Sequence, residues 1–176
     1  MLFLIALSFA GVIFTSSSGC DIGALNFNSF DFQKFNGPWV WLYHTKSDQE
    51  SPFGCLRDNF IPQGDRSIST TVAYNSQEKS NQEFQGFVKE SNSNSYFHDF
   101  EDNVPAPWKT TFYIMGVDYN QYVVLKGCLV GQNIPYTYAG FRVANPDENA
   151  LEAANKTLEE YGMSLNDLVK FPNCDL

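Results

Sequence analysis

Basic residues are scarce in this 176-residue chain: 11 Lys and Arg stand against 20 Asp and Glu, for a net charge of −9. So acidic a surface repels polyphosphate and anionic lipid headgroups, so no nucleic-acid partner is expected. Histidine is scarcer still, with only His44 and His98, and the four cysteines include no Cys-x-x-Cys pair. A metal centre therefore lacks its usual ligand spacing, and none is expected. After Phe14 no apolar run approaches the roughly 18 residues that cross a bilayer as a helix, so no integral membrane span is expected. Charge blocks, repeats and interdomain linkers are missing too, which leaves room for one domain.

The one long apolar run, MLFLIALSFAGVIF, opens the chain and is followed by SSSGC. A short uncharged core followed by small residues reads as a secretory signal cut near Gly19–Cys20. The expected organisation is thus a cleaved leader over 1–19 and a mature domain over 20–176. A lipoprotein signal that lipidates Cys20 is the alternative, with Ser17 standing where its lipidation box wants Leu. Cys20, Cys55, Cys128 and Cys174 form an even set in a secreted chain and imply two disulfides, with three pairings open.

What the chain has in surplus is aromatic rings. At 16% of residues, with 16 Phe and 9 Tyr, rings exceed what closing a small core requires. They suit a protein that lines a cavity with them. Strand-type segments recur between turn-rich links: Trp39–Thr45, Leu56–Ile61, Ser67–Tyr74, Glu83–Lys89, Tyr96–Phe100, Thr110–Val117, Tyr122–Leu129 and Tyr136–Val143. Eight short strands in near-regular succession predict an all-β barrel or sandwich. The pattern then changes to Asn145-Pro-Asp-Glu, which predicts a helix start with Pro146 at its first position and Gly162 at its end. Leu151, Ala154, Leu158 and Tyr161 fall on one face of that helix.

The order and spacing of these features resemble a lipocalin. Gly37-Pro38-Trp39 stands where that family carries Gly-x-Trp at its first strand. Val117-Asp118-Tyr119 matches its Thr-Asp-Tyr turn, with Val in place of Thr, and Arg142 in YAGFRVANP matches the Arg that ends its last strand. The closing helix and the tail GMSLNDLVKFPNC are similar to insect bilin-binding and apolipoprotein D-like members. The resemblance implies an eight-stranded antiparallel up-and-down barrel with one C-terminal helix. Gly37, Trp39, Asp118, Tyr119 and Arg142 then serve as scaffold, with Arg142 laid across the Trp39 indole at the closed floor. It also implies the pairings Cys20–Cys128 and Cys55–Cys174.

Alternation along such strands gives an expected lining. If Trp39 points inward, Trp41, Tyr43 and Thr45 share its face and His44 lies outside. Lys126 must face water, which turns Val123 and Leu125 inward. Phe87, Tyr113 and Tyr138 are further candidates, with parity leaving each undecided between cavity and outer packing. No carboxylate or cation is forced inside by pattern. The expected function is a secreted carrier of a small hydrophobic ligand, such as a bilin, retinoid, carotenoid, sterol or fatty acid. No cofactor is required, and a bound pigment such as biliverdin is a candidate. An enzyme using a cavity thiol would need a free cysteine. Haem binding would need an axial ligand, for which His98 is better placed than His44. Sequestration of an amine is a further alternative. Asn155-Lys156-Thr157 is a glycosylation sequon inside the predicted helix.

Overall fold

The protein is described by a computed structural model over residues 24–27, 29–46, 52–92, 94–101, 104–129 and 134–174. The expected leader over 1–19, and Cys20 with it, lie outside the described residues.

Period-2 alternation has folded as expected, into antiparallel strands. They are β1 (Gly37–His44), β2 (Phe53–Gln63), β3 (Arg66–Asn75), β4 (Ser80–Asn92), β5 (Ser95–Phe100), β6 (Thr111–Asp118), β7 (Tyr122–Leu129) and β8 (Ile134–Phe141). Each pairs with its neighbour in sequence, and β1 pairs with both β8 and β2, which closes the sheet into an eight-stranded barrel. Closure removes the exposed edges that an open sheet would leave. A two-residue strand, β9 (Val169–Lys170), joins β1 alone, at Tyr43 and His44.

Two helices and a C-terminal tail dress this barrel. Helix α1 (Phe32–Phe35) precedes β1, and the Asp31 carboxylate caps it by accepting from the backbone amides of Gln33 and Lys34. Helix α2 spans Glu148–Glu159 and starts later than the sequence suggests. Its cap is Asp147, whose side chain accepts from the Ala150 amide at 2.9 Å, so Pro146 sits before the helix. A carboxylate placed to receive that third amide stops the helix from extending backwards.

The apolar face of α2 rests on the outside of β6 and β7. Gly116 makes this possible, since a Cβ there would lie 2.7 Å from the Thr157 methyl. Tyr122 and Thr157 share a hydroxyl–hydroxyl bond of 3.0 Å, and the Tyr161 hydroxyl donates to the Met115 carbonyl at 3.1 Å. Beyond α2 the tail returns to the first two strands. Phe171 donates its amide to Leu42, Cys55 donates to Pro172, and a Cys55–Cys174 disulfide fixes the end. Cys128 is disulfide-bonded as well, while the expected Cys20–Cys128 pairing falls on a residue outside those described.

Candidate binding cavity

The closed end of the barrel is a stack of rings. Trp39 enters from β1, two residues after Gly37, whose φ of +96° only glycine adopts without strain. The Trp39 indole N–H donates to the Phe35 carbonyl at 2.7 Å, and Phe35 stacks on Trp39 and Phe60 at 5.2 and 5.3 Å. Arg142 covers the outer face of the indole at 3.7 Å. Its guanidinium also donates to the carbonyls of Tyr119, Pro38 and Lys34. Asp118 turns the chain between β6 and β7 by accepting from the Asn120 amide, and the Tyr119 hydroxyl accepts from the Asp31 amide. These donors and rings are engaged with one another, and outside the plug an open surface concavity of about 890 Å³ is lined by Lys34, Asn36, Pro38, Asp118, Tyr119 and Arg142.

Above the floor lies a cavity lined by Trp41, Leu56, Asp58, Thr71, Tyr96, His98, Phe100, Trp108, Phe112, Leu125 and Tyr138. Its free space is about 30 Å³ for the centre of a water-sized molecule, room for one or two waters. The Trp41 ring lies flat in it because Gly140 faces it from β8, where a Cβ would meet the indole carbons at 2.7 Å. The mouth is covered by Trp108, carried on a tight turn (Ala106–Trp108) between β5 and β6. Its ring packs on Phe53 and Phe84 at 5.1 and 5.6 Å. Next to it Lys109 pairs with Asp99 at 2.5 Å.

Three polar groups stand among these rings. Asp58 is buried, and its carboxylate accepts from the Trp41 indole N–H at 2.6 Å and from the Thr71 hydroxyl. Burial raises its pKa from the ordinary aspartate value to about 6, against the lowering effect of those two bonds. The Tyr96 hydroxyl is pushed well above its usual pKa by burial and by the Asp58 charge. His98 bonds through Nε2 to the Ser69 hydroxyl at 2.8 Å, and burial pushes its pKa down to about 3. It is a neutral ring at physiological pH.

Among the residues expected to line the cavity, Trp41, Leu125 and Tyr138 do so. Val123 points inward but sits lower, against Gly140. Tyr43 does not line it. The register of β1 against β8 shifts between Trp41 and Tyr43, and this bulge reverses the alternation beyond it. Tyr43 therefore shares the face of Ala139 and packs on Phe141 at 6.3 Å, outside the barrel. His44, expected outside, shares the face of Tyr138 and stacks on Phe171 at 3.8 Å. Thr45 spends its hydroxyl on the Thr137 amide. Phe87 lies outside as the cross-strand partner of Ile68, under the Arg66 guanidinium at 4.9 Å, and Tyr113 lies outside opposite Lys126.

Parity reasoning missed the polar residues Asp58, Thr71, Tyr96 and His98, and the apolar Leu56, Phe100, Trp108 and Phe112. A signal for them existed. Leu56, Asp58 and Phe60 alternate, as do Tyr96, His98 and Phe100, so one polar residue in each triplet had to face inward with its apolar neighbours. For haem, His98 does not fit as an axial ligand. Its Nε2 is taken by Ser69 and its ring is packed against Phe60 and Phe100 at 5.8 and 4.1 Å. Among the described residues, no three His, Cys, Asp or Glu side chains lie together in a way that could hold a metal ion.

A closed eight-stranded barrel, plugged by Trp39 and Arg142 and backed by one helix, is the lipocalin fold. No protein-family model matches the chain, and no curated protein matches it in sequence. Solved structures do match. The cockroach major allergen Per a 4 superposes with a TM-score of 0.75 at 22% identity, covering 88% of this chain and 94% of that one. Insecticyanin from the tobacco hornworm Manduca sexta gives 0.69 at 13% identity, over 82% and 81% of the two chains. The amine-binding protein of Rhodnius prolixus, in its tryptamine complex, gives 0.66 at 15% identity over 84% of each. These likenesses establish the fold.

Proposed function

We propose that this protein is an extracellular binding protein that carries a compact, ring-bearing hydrophobic ligand inside its barrel. The observation behind this reading is the barrel cavity, whose wall includes Trp41, Tyr96, Phe100, Trp108, Phe112 and Tyr138. A wall rich in rings yields apolar transfer energy of about 25 cal/mol per Å² and favours flat aromatic guests. Solved structures of the same fold include proteins whose names mark them as pigment or amine binders, which supports a carrier. The small free space favours a compact guest over an extended tetrapyrrole such as biliverdin. Such a guest takes the place of the Trp108 ring, which swings out with its turn to admit it.

Secretion of a mature chain over 20–176 is part of the same reading. It is supported by the Cys55–Cys174 bridge, a bond that persists in oxidising compartments. An enzymatic thiol finds no support, since no cysteine among the described residues is free. Asn155 remains a candidate glycan site, although its amide nitrogen now donates to Glu159 and its oxygen receives the Leu165 amide. A shift in mass on enzymatic deglycosylation of the secreted protein tests it.

Calorimetric titration with 2-naphthol, a neutral compact ring compound, tests the carrier reading. Saturable one-to-one binding with a negative heat-capacity change is expected. Heats that never saturate would overturn it.

A further inference from the structure

Asp58 is the one carboxylate in the lining, and its surroundings hold no opposite charge. From β1 the Trp41 indole faces it, and from β3 the Thr71 hydroxyl does. Across the cavity stand Tyr96 and His98 from β5 and Tyr138 from β8, all without positive charge at neutral pH. Several cations are engaged elsewhere: Arg57 on the Cys174 carbonyl, Arg142 on Trp39 and Lys109 on Asp99. Among the described residues, no lysine or arginine forms an ion pair with Asp58.

Buried charges are ordinarily paired, because leaving water is costly for an isolated carboxylate. The two hydrogen bonds to Asp58 come from neutral donors, one to each oxygen; an amide there could accept from Trp41 through its oxygen and donate to the Thr71 hydroxyl, which can itself accept. They do, however, fix the carboxylate in one orientation. Each oxygen has accepted one bond and keeps a further lone pair. The rings around it present negative π-faces of the kind that attract an organic cation.

We infer that Asp58 is the counter-ion of the ligand, and that the natural guest is a small aromatic monocation, a ring carrying one protonated amine. The ammonium group donates to Asp58 while the ring takes the place that the Trp108 ring leaves. This deepens the carrier reading above and rests on it. It also makes binding depend on pH. The amine stays protonated throughout the physiological range, so Asp58 is the group that titrates. Protonating it below about pH 6 removes the attraction and releases the guest.

Titration calorimetry with three matched compounds tests the inference: 2-phenylethylamine, 2-phenylethanol and phenylacetate. At pH 7.5 the amine is expected to bind at least about tenfold more tightly than the alcohol, and the acid more weakly than either. Between pH 7.5 and 5 the amine affinity is expected to fall about tenfold while that of the alcohol holds. In Asp58→Asn the amine-to-alcohol ratio should approach one. Equal affinities for amine and alcohol in the wild-type protein would overturn the inference, as would a preference that persists in Asp58→Asn. Those results, with 2-naphthol still binding, leave the carrier reading standing. If neither 2-naphthol nor any of the three binds, both readings fall.

Discussion

The two ends of this barrel treat a charge in opposite ways. At the floor, Arg142 lies across Trp39 and donates to three carbonyls at 2.8–3.1 Å. Its charge is dispersed over a ring and peptide dipoles. In the cavity, Asp58 has two neutral donors and no cation. The first arrangement is complete in the free protein and serves stability. The second is incomplete until something positive arrives. Sites held short of full compensation are where binding energy can be gained.

Breaking the floor should cost most. Trp39→Ala removes a fully buried indole and its contacts with Phe35 and Arg142, and a loss of about 3–5 kcal/mol in urea unfolding is expected. Replacing both Cys55 and Cys174 by Ser comes next. The bridge spans 119 residues of sequence, and its removal is expected to lower stability by about 2–4 kcal/mol.

The cavity should behave in the opposite sense. Asp58 has a pKa raised to about 6 in the folded protein, above the aspartate value near 4 of the unfolded chain. The folded state therefore binds its proton more tightly, and ionisation opposes folding. This penalty is fully present above pH 6 and is relieved as pH falls from 6 toward 4. Asp58→Asn should stabilise the free protein at pH 7.5 by roughly 1–3 kcal/mol, with the gain vanishing near pH 4. Chemical denaturation at the two pH values measures it. The smallest effect belongs to the mouth. Lys109→Gln breaks a half-exposed pair with Asp99 and should change stability by less than about 1 kcal/mol. By loosening the Trp108 turn it should raise the ligand dissociation rate a few-fold in stopped-flow fluorescence.

The same contrast decides what could be read from the sequence. The floor was legible because each of its parts is local: a Gly-Pro-Trp at a strand start, an Asp at a tight turn, an Arg closing the last strand. Strand succession and the closing helix were legible for the same reason. The cavity wall depends on contacts between distant segments. Tyr43 and His44 exchange faces at a bulge where β1 leaves β2 and takes β9 as its partner, Tyr43 against Lys170. That partner comes from the C-terminal tail, and no pattern within WVWLYHT announces it. Asp58 was hidden differently. It lies in the expected strand Leu56–Ile61 between two other polar residues, Arg57 and Asn59, and only the Leu56–Asp58–Phe60 alternation marks it as facing inward.

Thermal unfolding of the wild-type protein and Asp58→Asn at pH 7.5, each with and without saturating 2-phenylethylamine, sets the two kinds of site against each other most directly. The variant should melt higher when both are free, and the amine should raise the wild-type midpoint by several degrees while leaving the variant nearly unmoved. A wild-type protein that melts higher without ligand, or an amine shift of equal size in both, would contradict the account.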